Sequence, residues 1–312
     1  MADGDLSEQI IDAIEAIGGR HEGYRAVHAK GTLCAGTFKP SPQAAEVSRA
    51  AHFQGGEVRA HVRFSNGSGN PESRDAAQDG RGMAVKLYLP EGGTTDIVCI
   101  SRRQFFVRTP EDFLEFTRAR KPDPETGEPD LAKLGAFLGE HPEAGPAVQE
   151  QLASQAPVSY ATTDYNSLHA FRFTAPDGTE RWVRYHWEPE AGVATIDADE
   201  AKDKDRDYLQ QELAERLEAG PAGFVLSVAV AEEGDPLDDP TLAWPDERET
   251  IELGRLEVTG LAFDRDRDRD VLVFDPVRVT DGIETSDDQI LHARSDAYAE
   301  SVLRRSGARR EP

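Results

Sequence analysis

The sequence predicts an α+β protein built around an antiparallel β-barrel. Short, partly alternating segments rich in β-branched residues recur along the chain, and Gly, Asn or Pro separates each from the next, as expected of strands. Helical patterns interrupt these strands in the middle of the chain and close its end. Because an open antiparallel sheet would leave two unpaired edges, we expect the sheet to close into a barrel.

The first half of the chain begins with a helix. The segment LSEQIIDAIEAIG has apolar residues at helical spacing and ends at Gly18-Gly19. The segments HVRFS (61–65), GMAVKLYL (82–89) and DIVCI (96–100) are predicted strands. PEDFLEFTRAR (110–120) opens with a proline and two acids, which favour a helix start. Two more helices are predicted from LAKLGAFLGEH and PAVQEQLASQ.

Strands resume in the second half. LHAFRFT (168–174) and ERWVRYHWEP (180–189) flank APDG, which suits a hairpin turn. A charged helix over 203–219, strands at 223–233 and 248–263, and a closing helix over 286–305 complete the pattern. The run DRDRDRD (264–270) is predicted to be a solvated hairpin tip, because a calcium loop that starts there would need Gly and Glu where Arg269 and Asp275 stand.

Composition excludes several classes of function. The 312 residues include 59 acidic and 35 basic side chains, for a formal charge of -24, which repels nucleic acid and anionic membranes. Cys34 and Cys99 form no CxxC pair and define no disulfide framework. The N-terminus lacks the features of a signal peptide, and no apolar run approaches the length of a membrane span. We therefore expect a cytoplasmic protein without nucleic-acid or membrane partners.

Two features leave a functional and an ordinary interpretation open. His28, in YRAVHAKGTL, is either a catalytic base or a core histidine. Arg294 and Tyr298 lie four residues apart on a predicted helix, so they share one face. A guanidinium beside a phenol favours the phenolate, which is a ligand for ferric haem. Arg and Tyr at this spacing also form ordinary surface contacts.

Several motifs in one order resolve both questions. From roughly residue 20 to residue 302, the chain resembles the haem catalases, and among them the short catalase-related peroxidases. The matching segments are RAVHAKG (25–31), VRFSNGSG (62–69), DGRGMAVKLY (79–88), DIVCISRRQFFVRTPEDF (96–113), VRYHWEPEAG (183–192), LAWPDERETIELGRLEV, VLVFDP and DDQILHAR with the following Tyr298. The resemblance implies a catalase-like antiparallel eight-stranded β-barrel with surrounding helices, a minimal catalase core. It divides the chain into an N-terminal helix at 1–20 and one haem-binding domain at 21–312.

The resemblance also implies roles on the distal side of a haem. His28 would be the acid/base that moves a proton between the two oxygens of a peroxide, since the ordinary pKa of imidazole lies near neutral pH. Ser65 would hydrogen-bond the ring of His28 and fix its tautomer. The remaining assignments are propionate binding for Arg25 and Arg63, and distal-side packing for Phe106 and Phe113.

On the proximal side, the resemblance implies haem b with ferric iron and Tyr298 as its axial ligand. Arg294 would be the charge partner of that phenolate. His186 and Asp288 match a hydrogen-bonding network that the family has behind this arginine.

One departure from the family affects the expected reaction. Family catalases have an asparagine, which helps hold a second peroxide, where this chain has Ile100. Ile100 has no hydrogen-bond donor, and the neighbouring Ser101 should point to the opposite side of the strand. We therefore expect weak dismutation and a peroxidase that draws electrons from a small organic donor.

The chain also ends 14 residues after Tyr298, where full-length catalases continue. We therefore expect no bound NADPH and a monomer or small homo-oligomer. A shorter frame also suits bulkier peroxides or donors.

The leading hypothesis is a haem peroxidase that reduces hydrogen peroxide or organic hydroperoxides. The alternatives are a true catalase, a fatty-acid hydroperoxide isomerase and a non-catalytic haem carrier. The isomerases that resemble catalases have Thr before the distal histidine, where this chain has Val27. A carrier needs only the proximal side, so retention of His28 and Ser65 argues against it.

Overall fold

The computed structural model describes residues 5–123, 125–263 and 271–306. Its architecture is α+β, with most of the strands in one sheet. The strands are β1 (Gly31–Pro40), β2 (Val58–Asn66), β3 (Arg81–Tyr88), β4 (Thr94–Ile100), β5 (Ala156–Pro157), β6 (Tyr165–Asn166), β7 (Phe171–Thr174), β8 (Glu180–Pro189), β9 (Thr195–Ile196), β10 (Ala222–Val230), β11 (Thr250–Leu261) and β12 (Ile283–Thr285).

The main sheet closes on itself. Among the described residues, eight strands form the ring β1-β2-β3-β4-β6-β8-β10-β11, because β10 pairs with both β11 and β8 and β11 pairs with β1. Every pairing is antiparallel. This confirms the predicted closed antiparallel barrel. Closure leaves no open edge on the ring, which is the physical reason for it.

Alternation along the strands separates a packed interior from an outer face. Phe64, Met83, Cys99 and Tyr165 belong to one buried core cluster. Their neighbours in sequence therefore point outward. Residues in register share a face, so one row crosses the outside of the barrel in the order Ser65, Gly82, Ile100, Asn166, His186 and Ser227.

Helices cover the outside of the barrel. They are α1 (Leu6–Gly18), α2 (Pro42–Val47), α3 (Pro110–Ala119), α4 (Leu131–Glu140), α5 (Ala144–Ala153), α6 (Ala198–Asp203), α7 (Tyr208–Ala219) and α8 (Gln289–Ser306). Thr109 caps α3 by accepting a 3.2 Å hydrogen bond from the backbone N–H of Asp112. The apolar face of α1 packs against α3 and α8. None of the helices in the described ranges has the length and apolarity needed to cross a membrane.

Most predicted elements are present, and the differences have local causes. The APDG turn closes the β7–β8 hairpin, with Gly178 at φ +86°. The predicted helix at 203–219 begins later, at Tyr208, after the separate helix α6. Sequence reasoning missed β1, since Gly31, Gly36 and Pro40 lower its β-propensity. The predicted hairpin tip at 264–270 lies outside the described residues.

Candidate functional site

His28 occupies a strained loop just before β1. Its φ is +53°, and among the described non-glycine residues it is alone in having a positive φ. This conformation costs about 1 kcal/mol or more for a residue with a Cβ atom. The surrounding structure holds it, because the backbone N–H of His28 donates to Gly67 O at 3.2 Å and Arg63 Nη2 donates to His28 O at 2.9 Å. Strain maintained in this way is typical of functional positions.

Ser65 and Gly82 lie against the imidazole of His28. The Nδ1 atom of His28 lies 3.1 Å from Ser65 Oγ. Gly82 is the neighbour of Ser65 in β3, and a Cβ atom there would lie 3.0 Å from His28 Nδ1 and 2.8 Å from Ser65 Oγ. Glycine at this position therefore gives the imidazole room to lie against the strand. Sequence analysis did not single out Gly82.

The electrostatic environment keeps His28 neutral. The pKa of the ring is lowered to about 3, first because the ring is desolvated and then because Arg63, Arg294 and Arg25 place positive charge near it. The imidazole is therefore unprotonated at neutral pH and can accept a proton. Arg294, whose charge reaches His28, belongs to α8 near the other end of the chain.

Ile100 lies beside Gly82 in the same outward-facing row. A Cβ atom on Gly80 would be 3.1 Å from Ile100 Cδ1, so the side chain covers that glycine. Ser101, the next residue, accepts a 2.9 Å hydrogen bond at its Oγ from the backbone N–H of Arg81. The wall next to His28 is therefore apolar where Ile100 stands.

Arg25 and Arg63 line one cavity of about 140 Å³ together with Tyr24 and Lys30. Arg25 Nη2 donates to Leu272 O at 2.9 Å. Arg63 is buried, and its Nη2 supports the carbonyls of His28 and Ala29. The structure thus brings the two predicted propionate ligands together, and the assignment itself stays a prediction.

The two predicted distal aromatics belong to a cluster at the start of α3. The ring centroids of Phe106 and Phe113 are 5.7 Å apart, and Phe105 stacks on Phe113 at 6.0 Å. Phe113 also contacts the apolar cluster that α1 forms with Leu114. These rings form an apolar cluster that also packs against Phe137 of α4.

Arg294 and Tyr298 meet on α8 as their spacing predicts. The phenol oxygen of Tyr298 lies 3.1 Å from Arg294 Nε and 2.9 Å from Arg294 Nη2. Two hydrogen bonds from a permanent cation stabilise negative charge on that oxygen. The pair therefore places two guanidinium donors on the phenol oxygen.

Behind Arg294 lies a buried relay that contains His169. Arg294 Nη1 is 2.9 Å from His169 Nε2, and His169 Nδ1 is 2.6 Å from Asp288 Oδ2. Because a guanidinium only donates, Nε2 must accept and Nδ1 must carry the proton that goes to Asp288. Burial lowers the pKa of His169 to about 4, against the opposing effect of Asp288. The second carboxylate oxygen of Asp288 accepts from the backbone N–H groups of Ile290 and Leu291 and caps α8.

The predicted role of His186 in this relay is wrong. His186 is half-exposed on the outer face of β8, and its Nε2 lies 3.7 Å from Asp164 Oδ2. The position next to Arg294 belongs instead to His169, just before β7. The prediction for Asp288 as a member of the relay agrees with this geometry. Sequence alone offered one signal for His169, an isolated histidine before an apolar strand, which does not reveal its partner.

Comparisons with known proteins agree with this arrangement. The family model described as Catalase matches residues 9–311. The chain is 44% identical over 313 residues to a catalase-related peroxidase of Mycolicibacterium paratuberculosis, covering 99% of this chain and 98% of that protein. It is 33% identical to a catalase-related peroxidase of Synechococcus elongatus, covering 98% and 90%.

Solved structures give the same result for the fold. Catalase A from Saccharomyces cerevisiae aligns with a TM-score of 0.83 at 25% identity, over 92% of this chain and 62% of that one. This chain therefore spans less than two thirds of that catalase. The family model and the two bacterial relatives nevertheless cover nearly all of the present sequence, so the chain belongs to the catalase family.

Proposed function

We propose that this protein is a haem-dependent peroxidase that reduces hydrogen peroxide or organic hydroperoxides with a small organic electron donor. The observation that carries the proposal is the neutral His28, hydrogen-bonded to Ser65 and within electrostatic reach of Arg294, which contacts Tyr298. The two catalase-related peroxidases named above support it.

The residues present fit a haem with Tyr298 as its axial ligand. The Tyr298 oxygen accepts two guanidinium hydrogen bonds, and this donor set favours an anionic oxygen that binds ferric iron. Arg25 and Arg63 would bind the propionates of haem b, since a planar guanidinium matches a carboxylate. When bound, the haem supplies the redox chemistry that takes up the oxidising equivalents of the peroxide.

His28 would perform the proton transfer. With Nδ1 donating to Ser65 Oγ, its Nε2 is left as the base. That nitrogen removes a proton from one oxygen of the peroxide and returns it to the other, which leaves as water or as an alcohol when the O–O bond breaks. The left-handed backbone at His28 fixes where the ring points, so the base does not need to be reoriented during the reaction.

Dismutation should be the weaker activity. Ile100 provides no hydrogen bond for a second peroxide next to His28. An apolar wall there favours an organic electron donor over a second molecule of hydrogen peroxide.

The test is oxygen release from hydrogen peroxide by purified haem-loaded protein, with and without an oxidisable phenol. We expect peroxide to persist until the phenol is added, and the phenol then to be oxidised with little oxygen. Oxygen at half the peroxide consumed, regardless of phenol, would instead establish a true catalase.

The axial assignment has a separate test. Replacing Tyr298 with Phe removes the oxygen and retains the ring, so haem content after purification should fall and the absorption spectrum of any remaining haem should change. Full haem content with an unchanged spectrum would disprove Tyr298 as the ligand.

A further inference from the structure

A half-buried cluster of possible metal ligands lies on the helices α3, α4 and α5. Asp112 is in the first turn of α3, His141 directly follows α4, and Glu143 precedes α5. One ligand atom from each of these residues lies within 4.8 Å of the others. None of the three has a role in the proposed peroxidase chemistry.

The imidazole of His141 is held in a fixed orientation. Its ring stacks on Phe137 with centroids 4.2 Å apart and an angle of 19°. Its Nδ1 lies 3.2 Å from Glu143 Oε1, and its Nε2 lies 4.0 Å from Glu115 Oε2. Carboxylate oxygens therefore approach both nitrogens of a ring that packing has already oriented.

The cluster is rich in negative charge, although the charge of Arg108 also reaches Glu143. Three carboxylates, those of Asp112, Glu115 and Glu143, lie near one imidazole. Within the described parts of the chain, the Asp112 carboxylate has no hydrogen bond and no ion pair, although it lies beside a second carboxylate. Like charges this close repel each other unless a cation lies between them.

The chemistry of the three ligands indicates the class of metal. Calcium and magnesium ions prefer sets of oxygen ligands, whereas an imidazole nitrogen with two carboxylates suits a divalent transition metal such as Zn²⁺. We propose that Asp112, His141 and Glu143 bind one divalent transition-metal ion, with water completing the coordination.

Such a site would join separate helices. Asp112 comes from α3, while His141 and Glu143 lie in the connection between α4 and α5. A bound ion would therefore fasten α4 and α5 to α3, the helix that contains Phe113. Metal binding would stabilise this part of the fold and is independent of the peroxidase proposal, because none of its ligands faces His28 or Tyr298 in the contacts described above.

The test titrates Zn²⁺ into haem-loaded protein, freed of metal with a chelator, and follows the heat of binding. We expect one saturable site per chain. His141→Phe preserves the stacking on Phe137 and removes both nitrogens, and Asp112→Asn preserves size and removes the charge. Each should weaken Zn²⁺ binding by at least about tenfold, since the loss even of an outer partner of a metal site has effects of this size.

His186→Phe is the matched control, because His186 also pairs with one carboxylate, Asp164, but among the described residues it belongs to no group of three possible metal ligands. It should leave the Zn²⁺ titration unchanged. Titrations that match the parent in both H141F and D112N, with those variants folded by circular dichroism, would overturn the proposal. So would the absence of a saturable site in the parent protein.

Hydrogen exchange gives a second measurement that does not depend on activity. Saturating Zn²⁺ should slow amide exchange in α4 and α5 of the parent and leave it unchanged in D112N, because a ligand that binds only the folded segment opposes its opening. Equal effects of Zn²⁺ on both proteins would assign the protection to another site.

Discussion

The two sides of the candidate haem site are formed by different kinds of secondary structure. The distal side is a strained loop against the barrel, where His28 lies over Gly82 and next to Ser65. The proximal side is a regular helix, where Tyr298 receives two hydrogen bonds from Arg294. The first holds a neutral base and the second holds an oxygen that favours negative charge.

The hydrogen-bond partners of His28 and Arg294 also differ. His28 has a neutral hydroxyl as its side-chain partner, and nearby arginines lower the pKa of its ring. Arg294 is backed by the buried His169 and the carboxylate of Asp288, which compensate its charge. His28, the proposed proton-transfer group, thus has only a neutral side-chain partner. Arg294, which must stay charged, is held by His169 and, through it, by the Asp288 carboxylate.

The largest expected effect comes from removing the distal base. Replacing His28 with Asn should lower peroxide turnover by about 10²- to 10⁴-fold, the usual contribution of general acid–base catalysis. Asn tolerates the left-handed backbone that His28 adopts, so the loop should keep its shape. Turnover is measured on haem-loaded protein at matched haem content. Near-parental turnover would contradict a catalytic role for His28.

Substituting His169 in the proximal relay should change haem retention and reduction potential rather than proton transfer by His28. His169→Phe removes the acceptor for Arg294 Nη1 and leaves a buried donor unpaired, at about 1–3 kcal/mol. We expect weaker haem retention and a higher reduction potential, because the phenolate is less stabilised. His169→Gln offers an oxygen acceptor and should restore part of both values. Equal behaviour of the two variants would mean that His169 acts by packing alone.

An intermediate effect is expected where the distal wall is apolar. Ile100→Asn places a hydrogen-bond donor beside Gly82, and oxygen release from hydrogen peroxide should rise by up to about tenfold, equivalent to about 1.4 kcal/mol. Ile100→Val is the control, since it changes volume without adding a donor. If I100N releases no more oxygen than I100V, Ile100 does not limit dismutation.

The smallest effect at neutral pH concerns a buried histidine outside the site. Burial lowers the pKa of His52 to about 3, and within the described residues neither ring nitrogen has a hydrogen-bond partner. Between pH 6 and 4 the unfolded chain therefore binds a proton at this position that the folded chain does not, so stability falls as the pH falls.

Replacing His52 with Leu should lower the slope of the unfolding free energy against pH, between pH 6 and 4, by about 1.4 kcal/mol per pH unit. The measurement is the free energy of unfolding by denaturant at several pH values. Phe53→Leu, at the neighbouring ring, changes packing without removing a titrating group and should leave the slope unaltered. A slope shared by H52L and the parent would contradict the prediction.

Several parts of the site follow from local patterns in the sequence. The i, i+4 spacing of Arg294 and Tyr298 was sufficient to predict their contact, because a helix brings such residues together. The order of the motifs around His28 and Ser65 predicted another contact that the structure contains, at 3.1 Å.

Other parts depend on residues that are distant in sequence. His169 and Arg294 are 125 positions apart, and His186 was an equally plausible partner until the strands and α8 were positioned. Gly82 likewise looks like an ordinary strand glycine until the ring of His28 lies against it.

The sequence by itself predicted most helices and strands, the closed barrel and the contact between Arg294 and Tyr298, because periodicity and short motifs are local. Only the tertiary structure decided which histidine supports Arg294, why residue 82 has no side chain and where Asp112, His141 and Glu143 converge. Those facts arise from packing between separate elements, and the register of a strand or the angle of a helix is not encoded in any one segment.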